Sequence, residues 1–84
     1  MGSLAQEWVN PVEAGAEYFT SLGIGASLGR NASPDKISAH KWFNIAAARG
    51  SCDAARLRAE LAAEMTRDEI SLAQRLAREY LTAS

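Results

Sequence analysis

The side chains in this sequence that could do chemistry are few. His40 is the only histidine and Cys52 the only cysteine among the 84 residues. A zinc site draws on several such ligands, so these two residues do not make one, and no internal disulfide can form. Cys52 falls in the first turn of a predicted helix, where the dipole stabilises a thiolate, but no evident base is placed beside it. We therefore expect His40 to be a surface or hydrogen-bonded residue and Cys52 a small packed one.

Trp42 and Phe43 form the other chemically distinctive group. Two neighbouring rings can stack on a ligand, but these recur with Ala39, Ala46 and Ala47 at the i, i+3, i+4, i+7, i+8 spacing of an apolar helical stripe. Aromatic residues at this spacing among alanines indicate a core. The carboxylates fall mostly at capping or solvent positions. We expect no catalytic residue, no cofactor and no metal ion, and hence no enzyme.

The composition predicts one small all-α domain over residues 1–84. Alanine supplies 17 residues and proline only two, which favours helices in close contact. The net charge of −1 gives no strong field for nucleic acid or an anionic membrane. The chain shows neither a signal-peptide pattern nor an apolar run that could span a bilayer. We expect a cytoplasmic protein that binds no nucleic acid and does not insert into membranes.

The start and stop signals predict four antiparallel helices joined by short links. After a lead-in turn over residues 3–9, Asn10 and Pro11 start a helix that runs to Leu28. Ser33 caps a second helix that begins at Pro34 and ends at Ala48 or Arg49. Gly50 ends it in a left-handed conformation. Ser51 caps the third helix, and Thr66 with Glu69 forms a capping box for the fourth.

The first helix has glycine on its packed face. Its apolar stripe contains Gly23, which leaves room for a large ring from a neighbouring helix. Trp42 and Phe43 are the rings that we expect there, with Trp42 as the anchor. Gly29 then ends the helix.

Residues 11–50 carry the features of a known helical repeat. Leu22-Gly23, Gly29, the loop residue Asp35 and a second-helix pattern of alanine, tryptophan, aromatic, two alanines and glycine recur at its spacing. This unit resembles a Sel1-like repeat, a relative of the tetratricopeptide repeat. The matching residues are Leu22, Gly23, Gly29, Asp35, Ala39, Trp42, Phe43, Ala46, Ala47 and Gly50.

The resemblance implies a short right-handed solenoid of stacked antiparallel helix pairs. Residues 51–84 lack a second Leu-Gly and a second ring pair, so they are similar to a degenerate second repeat that caps the C-terminus. Proteins of this family typically assemble other proteins, and the family motif is structural. The implied role is therefore a non-catalytic adaptor or scaffold that binds another protein or peptide.

In stacked helix pairs the first helices line the concave side, where related modules bind peptides. The predicted partner-binding residues are Glu17, Ser21, Ile24, Arg56 and Glu60. Ile24 has an alternative, because it can also pack on the lead-in segment around Trp8.

Two other roles stay open. One is a structural element for homo-oligomerisation or for capping a longer solenoid. The other is a helix-turn-helix DNA binder that would use Arg75 and Arg78, although the net charge and Glu69 and Glu79 on the same helix oppose it.

Overall fold

The computed structural model describes residues 15–30 and 33–83, and these form four α-helices. The helices are α1 (Ala16–Leu28), α2 (Lys36–Ala48), α3 (Cys52–Ala62) and α4 (Arg67–Ala83). No strand occurs in either described range, which confirms the all-α prediction for this part of the chain. The predicted lead-in turn and the cap at Asn10 lie outside the described residues.

The first helix begins later than the sequence predicted. Gly15 precedes it in an extended conformation with ψ −175°, so one continuous helix from Pro11 to Leu28 is wrong. Glycine is a poor helix former because folding costs it more conformational freedom than any other residue. The other end is as predicted: Gly29 adopts a left-handed φ of 69°, and its N–H donates to the carbonyls of Gly25 and Ala26.

The second helix is capped by Asp35 rather than by the predicted Ser33. The Ser38 N–H donates to Asp35 Oδ1 at 3.0 Å, and the Ser38 hydroxyl donates to Oδ2 at 2.9 Å. These bonds stabilise the carboxylate and lower the pKa of Asp35. Asp35 is therefore the N-cap of α2. Pro34 lies before the helix, and Lys36 is its first residue.

The remaining predicted helix signals are confirmed. Gly50 has a positive φ of 106° directly after α2. Ser51 Oγ accepts from the Ala54 N–H at 2.9 Å and caps α3. Before α4, the Thr66 N–H donates to Glu69 Oε1 at 2.8 Å, and the Glu69 N–H donates to Thr66 Oγ1 at 3.1 Å. This reciprocal pair is a capping box.

Helix α2 is the centre of the packing. It packs against α1, α3 and α4, whereas those three helices make few contacts with one another. The largest fully buried side chains are Phe19 of α1 and Ile45 of α2. Around them the buried small residues let the helices approach closely: Ala39, Ala46, Ala54, Ala73 and Ala77.

The ring of Phe43, not that of Trp42, lies against Gly23. Phe43 is 3% exposed, and a Cβ at position 23 would overlap its ring atoms. Trp42 is half-buried on another side of α2. Its ring centroid lies 6.0 Å from that of Phe19 and 5.5 Å from that of Tyr80. The prediction that Trp42 anchors α2 on Gly23 is therefore wrong, and its ring instead joins α4 to the other two helices.

Candidate functional site

An apolar groove lies between α1 and α3, with Phe43 of α2 at its base. Its volume is about 470 Å³. We call it the α1–α3 groove, and its lining residues are Ile24, Ser27, Leu28, Pro34, Lys36, Phe43, Leu57, Glu60, Leu61 and Glu64.

The walls of the groove follow from helical spacing. Ile24 and Leu28 are one turn apart on α1, and Leu57 and Leu61 are one turn apart on α3, so each pair faces the same side of its helix. Ile24, Leu57 and Leu61 are partly buried and also pack against the core. Leu28 is 62% exposed. Leu28 thus continues the apolar face of the groove out to its exposed edge.

Charged side chains border the groove. Lys36 Nζ lies 3.6 Å from Glu64 Oε1, which connects the start of α2 to the turn after α3. Arg56 Nη1 lies 3.1 Å from Glu60 Oε2, four residues further along α3. The four side chains are 47% to 67% exposed, and ion pairs with such access to solvent contribute little to stability. These charged side chains can therefore pair with other groups at a low cost in free energy.

The structure brings together part of the predicted partner-binding set. Ile24 and Glu60 both line the α1–α3 groove. Arg56 does not line it but pairs with Glu60 at its edge. Glu17 and Ser21 lie nearer the start of α1, where they line a separate shallow concavity with Tyr18.

The predicted partner-binding set does not include the three leucines of the groove, Leu28, Leu57 and Leu61. The usable signal was the i,i+4 relationship of Leu28 to Ile24, which places an extra leucine on the same face of α1.

His40 and Cys52 differ from expectation. His40 is 2% exposed, and its Nδ1 has no hydrogen-bond partner among the described residues, so it is not a surface residue. Burial, and then the charge of Arg58, lower the pKa of His40 and keep the imidazole neutral. Cys52 is exposed rather than packed, because it faces outward in the first turn of α3. Across residues 15–30 and 33–83, no group of acidic, histidine and cysteine side chains could hold a metal ion.

The last helix presents the basic residues of the DNA-binding alternative on its outer face. Arg75 and Arg78 are both exposed. Arg75 Nε lies 4.0 Å from Glu79 Oε2, so a carboxylate accompanies it there. In the described part of the chain, none of the helices has the length and apolar character needed to cross a bilayer.

Comparison with known proteins returned no match among family models, curated proteins or solved structures. The Sel1-like resemblance therefore depends on the residues quoted for it.

Proposed function

We propose that this chain is a non-catalytic protein-interaction module that binds a helical segment of another protein in the α1–α3 groove. The observation that carries the proposal is the exposed Leu28 beside a partly buried apolar wall. Burying such a surface against a partner supplies the main driving force for association.

The shape of the groove favours a helical occupant. Its two walls come from helices, and each wall presents apolar side chains one turn apart. An amphipathic helix offers anchors at i, i+3, i+4 and i+7, which suits a groove of this kind. Polar residues at the edge, such as Ser27 and Glu60, fit the usual pattern of an apolar centre with a polar rim.

The proposal extends to the repeat type. Several residues of the Sel1-like signature have structural duties that fit a repeat: Gly23 admits a ring, Asp35 caps α2 and Gly50 has positive φ. Ala39, Phe43 and Ala46 are buried between helices. We propose residues 11–50 as a Sel1-like repeat and residues 51–84 as its C-terminal cap.

Affinity capture from the native cell, with partners identified by mass spectrometry, tests this function. Leu28→Asp should prevent capture, because it places a charge in the apolar groove while changing an exposed side chain. Leu81→Asp is the matched control, since Leu81 is also exposed but lies at the end of α4. Equal capture by both variants would contradict the groove assignment. Sedimentation of the purified chain tests whether a second copy is the occupant instead.

A further inference from the structure

The charges around the α1–α3 groove are arranged unevenly. Its α1 wall, formed by Ile24, Ser27 and Leu28, has no charged residue. On its α3 side are the carboxylates of Glu60, in the last turn of α3, and of Glu64, in the turn after that helix. Lys36, at the start of α2, is the one basic residue that lines the groove among the residues described. The residues that line the groove thus include two carboxylates and one base, and that base pairs with Glu64.

Both carboxylates are available to a ligand. Their side chains are 62% and 67% exposed, and among the described residues each makes an ion pair through one oxygen, Oε2 of Glu60 and Oε1 of Glu64. Ion pairs in solvent contribute little, so an incoming base can share or replace Arg56 and Lys36 at small cost. Complementary charges at such an edge fix the register of a partner and raise its association rate.

We propose that the α1–α3 groove binds an amphipathic helical segment that has lysine or arginine along one edge of its apolar face. This inference rests on the proposed function and specifies the chemistry of the partner. Glu60 lies in the last turn of α3 and Glu64 in the turn that follows this helix, and both border the groove. Two bases one turn apart on a partner helix can therefore each face one carboxylate.

Three synthetic peptides test the proposal on the full chain. Each has about 15 residues, enough to form a helix, and the same leucines at i, i+3, i+4 and i+7. Two edge positions one turn apart hold lysine in the first peptide, glutamine in the second and glutamate in the third. Calorimetric titration at low salt should give tighter binding for the lysine peptide than for the glutamine peptide, by about three- to tenfold, and weaker binding for the glutamate peptide. Physiological salt should reduce the difference.

Substitution of Glu60 and Glu64 tests whether their carboxylates cause the preference for the lysine peptide. Glu60→Gln with Glu64→Gln should remove the preference for lysine and leave binding of the glutamine peptide unchanged. Glu79→Gln is the matched control, because Glu79 also pairs with an arginine four residues before it and is 66% exposed. An equal loss in the control would mean a general charge effect and overturn the proposal.

The remaining outcomes separate the two claims. Equal binding of all three peptides, abolished by Leu28→Asp, would overturn the basic preference and leave the groove function standing. No binding by any peptide would count against both. Tighter peptide binding after Trp8→Ser would identify the first residues of the chain as the occupant of the groove. Peptide binding that occurs only below the protein concentration at which the chain self-associates would identify a second copy as the occupant. Either result overturns a basic external partner.

Discussion

The ring of Phe43 packs directly against the backbone of Gly23, and this contact is possible only because Gly23 has no side chain. The Phe43 ring occupies the place where a Cβ at position 23 would be, and it is buried there between α1 and α2. The contact sets how closely these two helices approach. Because α1 also forms one wall of the α1–α3 groove, the same contact positions Ile24, the next residue.

Gly23→Ala should lower the free energy of unfolding by about 1–3 kcal/mol, because the added methyl forces the buried ring to move. This cost opposes a gain of about 1 kcal/mol from better helix propensity. Gly25→Ala is the control in the same helix. Its Cβ would meet only Arg30 Cδ at 3.9 Å, so the propensity gain should appear as a higher midpoint. Urea unfolding measures both, and stabilisation by Gly23→Ala would contradict the close contact.

Local chemistry made most helix boundaries predictable. Gly29, Gly50, Ser51 and the Thr66–Glu69 pair act through their own backbone neighbours, so their roles could be inferred from sequence alone. The start of α2 could not, because Ser33, Pro34 and Asp35 offer competing signals. The choice depends on which oxygen reaches the Ser38 N–H, and Asp35 accepts that bond.

Tertiary features were less accessible to sequence reasoning. Trp42 and Phe43 are adjacent on one stripe, and only the relative placement of α1 and α2 decides which ring meets Gly23. The packing of α4 on α2 likewise depends on the whole fold. Of the predicted partner-binding residues, Ile24 and Glu60 line the α1–α3 groove, whereas Glu17 and Ser21 line a concavity nearer the start of α1.

Phe43→Ala should destabilise the protein more than Trp42→Ala. Phe43 is almost fully buried, and its removal leaves a cavity beside Gly23 that should cost about 3–5 kcal/mol. Trp42 is half-buried, so part of its surface already faces solvent and its loss should cost less. Thermal melts of both variants give the ranking. A larger shift for Trp42→Ala would restore Trp42 as the anchor of the fold.

Ser51→Ala should cost about 0.5–2 kcal/mol, the usual value of a helix N-cap. The Ser51 hydroxyl is also hydrogen-bonded to the Thr20 hydroxyl, with 3.1 Å between the two oxygens, and so connects α1 to the start of α3. Thr20→Val separates the two contributions, because it removes the link but keeps the cap. Chemical denaturation of both variants should show a smaller loss for Thr20→Val, and equal losses would mean that the cap contributes nothing.

His40 should make the protein less stable in mild acid. Its pKa is lowered by burial and then by the charge of Arg58, whereas in the unfolded chain it returns to its ordinary value of 6.5. Below that pH the imidazole of His40 binds a proton in the unfolded chain but stays neutral in the folded protein. The free energy of unfolding should therefore be constant above about pH 6.5 and fall as the pH drops toward the lowered folded pKa.

His40→Leu provides the test, because His40 is the only histidine in the chain. The variant should lose the pH dependence between neutral pH and about pH 5, where the carboxyl groups begin to titrate. A separate loss should persist below the ordinary Asp35 pKa of 3.8, since the bonds from Ser38 lower that pKa and their contribution disappears only as the carboxylate is protonated. An unchanged profile in His40→Leu would mean that His40 is protonated equally in both states.

Substitutions at Ile24 and Leu28, on the same face of α1, should differ in their effect on stability although both weaken partner binding. Ile24 lines the groove but also packs against the core, so Ile24→Asp should lower the melting temperature as well as weaken partner capture. Leu28 is mostly in solvent, so Leu28→Asp should change the free energy of unfolding by less than about 0.5 kcal/mol, as surface substitutions usually do. Circular dichroism melts of both variants, run beside the capture assay, measure this directly. If Ile24→Asp leaves the melt unchanged, Ile24 belongs to the binding surface alone. If Leu28→Asp unfolds the chain, the exposed leucine has a structural role, and the α1–α3 groove is not open to a partner.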